Sequence, residues 1–187
     1  ALPPAENLAT APRGVALVGN KRIVKPVPGD TDEWTHFLYD ASNNPVSKDN
    51  RIGQLGRLQW VGSPRWSRHH DHMSSVTSVV SSGGRVYTIT DEGSRSSIFL
   101  PPKWKLVARD AHNGMVLWKR DVPQWFSHTH RLKSGPPYLP RKLVAKGDCL
   151  YATLELDGVL CKLDGRTGET LATYDAAGKT QEILLQD

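Results

Sequence analysis

An internal repeat constrains the fold of this chain more than any other feature of its sequence. Residues 109–114 align with residues 163–168, 54 positions apart, and each segment has an Asp followed four positions later by a Gly. Tyr87 aligns with Tyr151, 64 positions apart. The larger separation indicates an insertion near residues 92–103 in the first copy. A repeat of this length predicts two consecutive copies of one supersecondary unit.

Each copy has the pattern of four short β-strands separated by turns. The predicted strands are residues 76–80, 85–90, 104–110 and 115–120 in the first copy, and 143–145, 150–154, 159–164 and 170–174 in the second. Asp157-Gly158 predicts a two-residue type I′ turn, which places Leu154 opposite Cys161. Four-stranded repeats of this length are typical of β-propeller blades. A two-layer β-sandwich also holds eight strands, but it does not predict the repeated turn chemistry.

The segments outside the two copies are less regular. Residues 15–18 and 21–24 predict a hairpin, and residues 58–61 predict one further strand. We expect an N-terminal extension at 1–30, with its hairpin as the tail of an upstream domain, an irregular lead-in segment rich in aromatic residues and histidine at 31–74, a first blade at 75–122, an inter-blade loop at 123–140, a second blade at 141–176 and the start of a further strand at 177–187.

The predicted fold class is therefore all-β, with four-stranded antiparallel blades of a partial β-propeller and an irregular N-terminal segment. Propellers typically have about four to eight blades, so two blades do not close a ring. We expect the chain to be a fragment of a longer protein, or to be completed by a partner. The strand at 58–61 is a candidate for an outer strand that is lent to the last blade and closes the ring.

Charge and hydropathy exclude several classes of protein. The 187 residues carry a net charge of +5, with basic and acidic residues mixed along the chain. A nucleic-acid-binding chain would concentrate its Lys and Arg residues, so no nucleic-acid partner is expected. No apolar run approaches the roughly 18 residues of a transmembrane helix, so no membrane span is expected. The first residues lack the pattern of a signal peptide, and the sequence leaves the cellular location open.

The two cysteines are too few for a disulfide-based scaffold. With Leu154 opposite Cys161, Cys149 lies five residues from that partner and faces the other side of the sheet. A disulfide bond needs two Cα atoms within about 7 Å of each other. We therefore expect both thiols to be free.

A histidine cluster at residues 69–72 is the densest group of metal-ligand side chains. On a strand, His70 and His72 point to one face, and neutral imidazoles at that spacing can chelate Zn²⁺ or a similar divalent ion. The candidate metal-binding residues are His69, His70 and His72, with His36, His128 and His130 as further ligands. The alternative is a polar loop whose histidines stack on Trp66 or bond to the backbone.

Aromatic and arginine side chains in irregular segments form a second candidate site. In a propeller such loops line the top or bottom face, where rings and Arg can form a platform for a glycan or another small molecule. The candidate ligand- or partner-binding residues are Trp34, Arg65, Trp66, Arg68, Trp125 and Tyr138. The alternative is packing of these rings under long loops. No hydrolase elbow, phosphate-binding loop or HExxH motif is present, so no catalytic residue is assigned.

The turn between the third and fourth strands of each copy resembles a known family. Residues 110–118, DAHNGMVLW, resemble the blade motif Asp-Ala-x-x-Gly-x-x-x-Trp of quinoprotein (PQQ)-dehydrogenase-like β-propeller repeat proteins. Residues 164–172 look like a second copy that departs from this pattern, with Ala172 at the place of the Trp. The missing ring implies that this blade edge packs differently. Many propellers with the motif bind no quinone, so the resemblance implies a fold and leaves the activity open.

Residues 12–74 resemble a segment of bacterial multidomain proteins that joins a methyltransferase-like domain to a quinoprotein-like propeller. The resemblance rests on KPVP at 25–28, DEWTH at 32–36, LQWVG at 58–62 and PRWSRHHDHM at 64–73. It implies that residues 12–24 are the closing hairpin of an upstream domain, and that the protein is periplasmic or exported. No glycine-rich S-adenosylmethionine loop is present, so methyltransferase activity is not carried over to this chain.

These features predict a PQQ-like β-propeller repeat module that acts as a binding or scaffold domain. Its expected partners are the remaining blades of the propeller or another polypeptide, with a glycan or small molecule as ligand. The alternative is part of a metal- or quinone-dependent enzyme, an oxidoreductase or a carbohydrate-active enzyme, with a His-rich site at the propeller mouth. The histidines allow a divalent metal as cofactor. A quinone site needs Ca²⁺ and ligands from several blades, so PQQ is not expected in this chain alone.

Overall fold

The computed structural model describes residues 4–7, 12–51, 53–54, 56, 58–64, 75–127 and 135–186. The strands within them are β1 Val15–Val18, β2 Lys21–Val24, β3 Val76–Ser82, β4 Arg85–Asp91, β5 Trp104–Asp110, β6 Val116–Asp121, β7 Leu143–Lys146, β8 Cys149–Thr153, β9 Leu160–Asp164 and β10 Thr170–Tyr174. Short 3₁₀ turns lie at Ala5–Asn7, Leu139–Lys142 and Asp175–Ala177. None of these helical turns has the length or apolar character to cross a lipid bilayer.

The two copies of the repeat form two four-stranded sheets with the same strand order. Sheet 1 has the order β3-β4-β5-β6 and sheet 2 the order β7-β8-β9-β10, and every neighbouring pair is antiparallel. This up-and-down meander is the strand plan of a propeller blade. A register shift interrupts the last pair of each sheet, between Ala108 and Arg109 in sheet 1 and between Thr170 and Ala172 in sheet 2. The predicted fold class, all-β with four-stranded antiparallel blades of a partial propeller, is confirmed.

The main hydrophobic core lies between the two sheets. Buried side chains of sheet 1, such as Tyr87 and Leu106, face buried side chains of sheet 2, such as Leu150 and Leu163. Strands β3 and β7 lie next to each other across this junction. Burying one large apolar side chain contributes about 1.5–3 kcal/mol, so the junction is a major source of stability. Each sheet consequently has one face in the junction. We call the other face, which is turned away from the neighbouring sheet, its open face.

Two local predictions are wrong. Asp157-Gly158 does not form a two-residue turn, because residues 154–159 form a longer loop between β8 and β9. Apolar side chains of this loop pack against the core, and their burial outweighs the preference of the dipeptide for a tight turn. Cys161 therefore pairs with Ala152 instead of Leu154. Residues 58–61 adopt no β-strand, because they pair with no other strand in the described part of the chain.

The N-terminal hairpin forms as predicted and attaches to sheet 1. Val15 lies opposite Val24, and Val18 lies opposite Lys21. Just before the hairpin, the guanidinium of Arg13 donates to the carbonyl oxygen of Gly83, in the turn between β3 and β4. This contact supports a hairpin that is too small to be stable alone.

Candidate functional site

The two sheets carry equivalent turns between their third and fourth strands. Asp110 Oδ1 accepts two backbone N–H bonds of its own turn, at 2.9 and 3.0 Å, and Asp164 Oδ1 accepts the N–H of Arg166 at 2.7 Å. Gly114 and Gly168 have φ angles of 73° and 79°, which glycine adopts without strain. Hydrogen bonds from Arg166 lower the pKa of Asp164 to about 2, so this turn carboxylate is ionised at neutral pH. The turns therefore present rigid carbonyl groups to neighbouring elements.

Sheet 1 docks onto the turn of sheet 2 through Trp118 and Tyr87. Trp118 Nε1 donates to the carbonyl oxygen of Gly165 at 3.0 Å, and the Tyr87 hydroxyl donates to the same oxygen at 3.1 Å. A Cβ atom at Gly168 would lie 2.7 Å from the ring of Trp118, so glycine is needed for this close approach. Arg120 Nη1 donates to the carbonyl oxygen of Gly168 at 2.9 Å. The turn of one blade is thus the receptor for the outer strand of the blade before it.

Trp60 makes the same contact on the turn of sheet 1. Its Nε1 donates to the carbonyl oxygen of Ala111 at 2.9 Å, and Ala111 is the residue that aligns with Gly165. A Cβ atom at Gly114 would lie 2.5 Å from the ring of Trp60, as one at Gly168 would approach Trp118. Trp60 therefore contacts the turn of sheet 1 in the same way as Trp118 contacts the turn of sheet 2.

Residues 34–36, which we call the cross-strand segment, join the two sheets at their first strands. The carbonyl oxygen of Trp34 accepts the N–H of Ser81 in β3 at 2.7 Å. The carbonyl oxygen of Thr35 accepts the N–H of Ala145 in β7 at 3.0 Å. Ser81 and Ala145 are 64 positions apart, so they are equivalent positions of the repeat. The segment thus accepts hydrogen bonds from the backbone N–H groups at equivalent positions of the two blades.

His36 continues this series with its side chain. Its Nε2 accepts the N–H of Leu185 at 3.1 Å, and its Nδ1 lies 2.8 Å from the hydroxyl oxygen of Thr35. Because Nε2 is an acceptor, the proton of the neutral ring lies on Nδ1. The side chain is 5% exposed, and burial lowers its pKa. Both ring nitrogens are engaged within the chain, so a metal ion at His36 would have to displace one of these partners.

A cavity of about 500 Å³ opens beside His36. Asp40 and Lys146 also line it. The charge of Asp40 raises the pKa of His36, and the charge of Lys146 lowers it. Zn²⁺ usually takes four ligands, of which this cavity offers one carboxylate and one imidazole that is already bonded. In the part of the chain that the structure describes, no three His, Cys, Asp or Glu side chains are grouped to hold a metal ion.

The same ligand inventory applies to the Ca²⁺ of a quinone site. Ca²⁺ takes about six to eight oxygen ligands, several of them carboxylates. Residues 4–7, 12–51, 53–54, 56, 58–64, 75–127 and 135–186 contain no such converging group of acidic side chains. These residues therefore do not fit a quinone site.

The structure places Trp34, Trp125 and Tyr138 in three different surroundings. Trp34 packs edge-on against Tyr39, with 5.6 Å between the ring centroids. Trp125 is 2% exposed and lies in the core. Tyr138 packs against the core from outside, and Lys142 Nζ lies 5.0 Å from the centre of its ring. No ring contact joins the three among the described residues. Trp125 and Tyr138 pack in or against the core.

The other predicted site residues lie outside the described residues. These are the metal-binding candidates His69, His70, His72, His128 and His130 and the ligand-binding candidates Arg65, Trp66 and Arg68. Their predicted roles remain predictions.

The prediction of two free thiols is confirmed. Cys161 is buried and Cys149 is partly exposed, and neither forms a disulfide bond. Cys161 lies opposite Ala152, which is three residues from Cys149, so the two thiols face opposite sides of the sheet. The register differs from the prediction, but the odd separation and its consequence do not. Burial raises the pKa of the Cys161 thiol.

Sequence reasoning missed two residues that the structure shows to be important. Lys142 is 1% exposed, its Nζ donates to the carbonyl oxygen of Leu156, and burial lowers its pKa. Nothing in the sequence around Lys142 signals a buried amine. The docking role of Trp60 had a signal: the turns at 110–114 and 164–168 are alike in sequence, and Trp60 precedes the first of them in a largely apolar Leu-Gln-Trp-Val segment.

Comparison with known families and with curated proteins finds no match. Among solved structures, the chain is similar to the quinohemoprotein alcohol dehydrogenase from Comamonas testosteroni, with 15% identity and a TM-score of 0.47 over 79% of this chain and 20% of that chain. It is also similar to a europium-containing methanol dehydrogenase, with 18% identity and a TM-score of 0.45 over 76% of this chain and 23% of that chain.

The chain spans less than a quarter of either solved structure. Identity and TM-score at this level carry no activity from those enzymes to this chain. The strand order of the two sheets and the repeated docking turns identify the fold independently. The chain is a β-propeller module with two four-stranded antiparallel blades in its described residues.

Proposed function

We propose that the chain is a non-catalytic binding or scaffold module of a longer β-propeller, in which sheets 1 and 2 are consecutive blades. The observation that carries the proposal is the docking contact at two boundaries, with Trp118 on Gly165 and Trp60 on Ala111. The first contact joins two blades of this chain. The second lies where no four-stranded sheet precedes sheet 1 among the described residues, and it supports a further blade at that boundary.

The open face of sheet 2 supports a further blade or a partner polypeptide on the other side. Tyr151 occupies on sheet 2 the position that Tyr87 occupies on sheet 1, and it is partly exposed. Tyr174 lies on the same open face and is 42% exposed. Partly exposed aromatic side chains on a sheet face are typical of a surface that binds another protein element.

Two further parts of the proposal rest on the resemblance of residues 12–74 alone. These are a methyltransferase-like domain before the hairpin of β1 and β2, and a periplasmic or exported location.

The test is native mass spectrometry over a range of protein concentrations, combined with elemental analysis of the same samples. We expect reversible assembly at high concentration, because open blade faces associate, and no stoichiometric transition metal. Tyr174→Asp should reduce the assembly by placing a charge on the open face of sheet 2. Phe99→Asp is the matched control, because Phe99 is 81% exposed in the loop between β4 and β5 and belongs to neither open face.

Two results would count against the proposal. A protein that stays monomeric at every concentration would count against association through the open face of sheet 2. A stoichiometric transition metal that is lost when His70 and His72 are changed to Ala would favour the alternative, a metal- or quinone-dependent enzyme.

A further inference from the structure

We propose that a cavity beside Trp60 is a binding site for a small linear carboxylate, in which Arg109 binds the carboxylate and Thr90 bonds to a polar group at the other end of the ligand. This cavity, which we call the Arg109 cavity, has a volume of about 250 Å³ and lies between the open face of sheet 1 and the segment 60–64. Pockets for drug-sized molecules start at about 300 Å³, so the cavity suits a smaller ligand. Residues of this chain form both walls, so the inference does not depend on the scaffold function or on a further blade.

The side chains that line the Arg109 cavity differ in polarity from their equivalents on sheet 2. At three equivalent positions of the repeat, sheet 1 has a polar residue and sheet 2 an apolar one: Arg109 and Leu163, Thr88 and Ala152, Thr90 and Leu154. The three apolar residues of sheet 2 lie in or against the core, where sheet 1 packs on them. Sheet 1 thus has polar side chains where the other copy has core residues. Polar groups at a few defined places in a partly apolar cavity are typical of a small-molecule site.

Arg109 is a buried cation that forms no ion pair with an Asp or Glu in the part of the chain that the structure describes. Its guanidinium donates to the carbonyl oxygen of Gly114 at 2.9 Å and to that of Ser63. These bonds use two of its five N–H groups, and neutral carbonyl groups leave its charge uncompensated. Burial of a charge is unfavourable unless the charge is paired. A carboxylate that enters the cavity therefore gains a charge-assisted hydrogen bond without displacing an existing ion pair.

Two lysines on the same face of sheet 1 show the contrast with Arg109. The register of β4, β5 and β6 places Lys105 and Lys119 on the open face with Arg109. Lys105 forms an ion pair with Asp121, and Lys119 forms one with Glu92 at 2.6 Å. These two carboxylates are therefore engaged by other cations. Among the described residues of this face, Arg109 is the buried cation that remains for an anionic ligand.

Thr90 lies at the other end of the Arg109 cavity. It is 4% exposed, and its Oγ1 has no hydrogen-bond partner among residues that the structure describes. Leaving a buried hydroxyl group unsatisfied is unfavourable, and a polar atom of a ligand would satisfy it. Arg109 lies opposite Val86, and Thr90 follows four residues later on β4, about 13 Å away at about 3.3 Å per residue. Because Val76, Val86 and Trp60 supply apolar walls, the ligand is an elongated acid with an apolar middle and a polar far end.

The first test is an NMR titration that follows the indole N–H of Trp60, because Trp60 lines the cavity. The probe is hexanoate with a hydroxyl group on its terminal carbon. We expect a saturable shift with a Kd of about 1 mM, which is in the range for a ligand of this size. Hexanoate itself should bind about fivefold more weakly, because it lacks the hydroxyl group. Hexanediol, which lacks the carboxylate, should cause no saturable shift at tenfold higher concentration.

The second test repeats the titration with variants. Thr90→Val should fold, because the hydroxyl group that it removes has no partner in the described part of the chain, and it should bind the two acids equally. Thr153→Val is the matched control: it removes a buried hydroxyl group that is likewise unpartnered among the described residues but lies on sheet 2, and the fivefold preference should remain. Arg109→Lys keeps a positive charge but loses the planar fork, and it should weaken binding of both acids by about tenfold.

Three results would overturn the inference. Hexanediol could bind as tightly as the acids, which would make the cavity a site for apolar chains. Thr90→Val could keep the preference for the hydroxyl group. The indole of Trp60 could show no shift with either acid at tenfold the expected Kd, which would leave Arg109 only its bonds to Gly114 and Ser63. None of these results changes the concentration-dependent assembly or its loss in Tyr174→Asp, so the scaffold function is tested separately.

Discussion

The junction face of sheet 1 and the open face of sheet 2 occupy equivalent positions of the repeat but carry different side chains. Trp118 on sheet 1 is replaced by Ala172 on sheet 2, and Ile89 is replaced by Thr153. On sheet 1 the Trp reaches the turn of the next blade, and the Ile is fully buried. On sheet 2 no Trp is present, and Thr153 Oγ1 is buried with no hydrogen-bond partner among the described residues.

A third difference shows how this affects packing. Ala108 on the junction face of sheet 1 is replaced by Lys162 on sheet 2, and Lys162 Nζ lies 5.9 Å from the ring of Tyr151. The small Ala108 allows close approach of the facing sheet, whereas the charged Lys162 favours contact with water or with a polar partner. Strand order and turns thus make a blade, but the side chains on one face decide whether a second blade packs tightly against it.

Loss of the docking tryptophan should have the largest effect on stability. Trp118→Ala removes a large aromatic side chain and leaves the Gly165 carbonyl without its indole donor. We expect the free energy of unfolding to fall by about 3 kcal/mol, measured by urea denaturation. Leu117→Ala is the control, because Leu117 is the neighbouring residue on β6 and is 41% exposed. Equal losses in the two variants would contradict the docking role of Trp118.

Adding a Cβ atom under each docked tryptophan should lower the free energy of unfolding somewhat less than Trp118→Ala does. Gly168→Ala and Gly114→Ala each place a methyl group within 2.7 Å of an indole ring at a positive φ angle. We expect a loss of about 2 kcal/mol in each case by urea denaturation. Gly178→Ala should be nearly neutral, because Gly178 has a φ of −70° and nothing within 4 Å of its Cβ position. A neutral Gly114→Ala with a costly Gly168→Ala would show that Trp60 is not docked like Trp118.

Introducing an apolar residue at position 153 of sheet 2 should have a smaller, favourable effect on stability. Thr153→Val replaces a buried hydroxyl group that has no partner in the described part of the chain. We expect the melting temperature to rise, in line with a gain of about 1 kcal/mol. Thr170→Val is the contrast, because the hydroxyl of Thr170 accepts a bond from Arg120 at 2.8 Å and its loss should be slightly unfavourable. A destabilised Thr153→Val would mean that its hydroxyl has a partner.

The cross-strand segment accepts hydrogen bonds with two carbonyl groups and with the imidazole of His36, and only the imidazole changes its protonation with pH. Burial lowers the pKa of His36 below its ordinary value of 6.5, so the unfolded chain binds more protons than the folded chain just below that pH. The contribution of His36 to stability should be fully present above pH 6.5 and decline as the pH falls through the lowered pKa. The difference in unfolding free energy between wild type and His36→Gln should follow this curve. A difference that does not vary with pH would show that His36 does not bond to Leu185 as a neutral acceptor.

The strands of both blades could be predicted from the sequence because their signals are local. Alternation of apolar residues and the turns at Gly83-Gly84 and Gly114 act within a few residues, and they place the strands to within two residues. The turn at Asp157-Gly158 could not be predicted in this way, because the packing of Leu156 and Val159 on the core outweighs the dipeptide. His36 could be selected as a functional candidate, but its partner Leu185 lies 149 residues away and no local pattern indicates it.

The sequence by itself determined the all-β class, the two copies of the blade, the equivalent turns and the opposite orientation of the two cysteines. Each of these depends on periodicity or on parity along one stretch of chain. Only the tertiary structure decided that Trp60 docks like Trp118, that Trp125 is buried, and that the cross-strand segment binds the same position on both blades. These contacts join residues that are between 47 and 110 positions apart in sequence, and they form only when packed sheets bring those residues together.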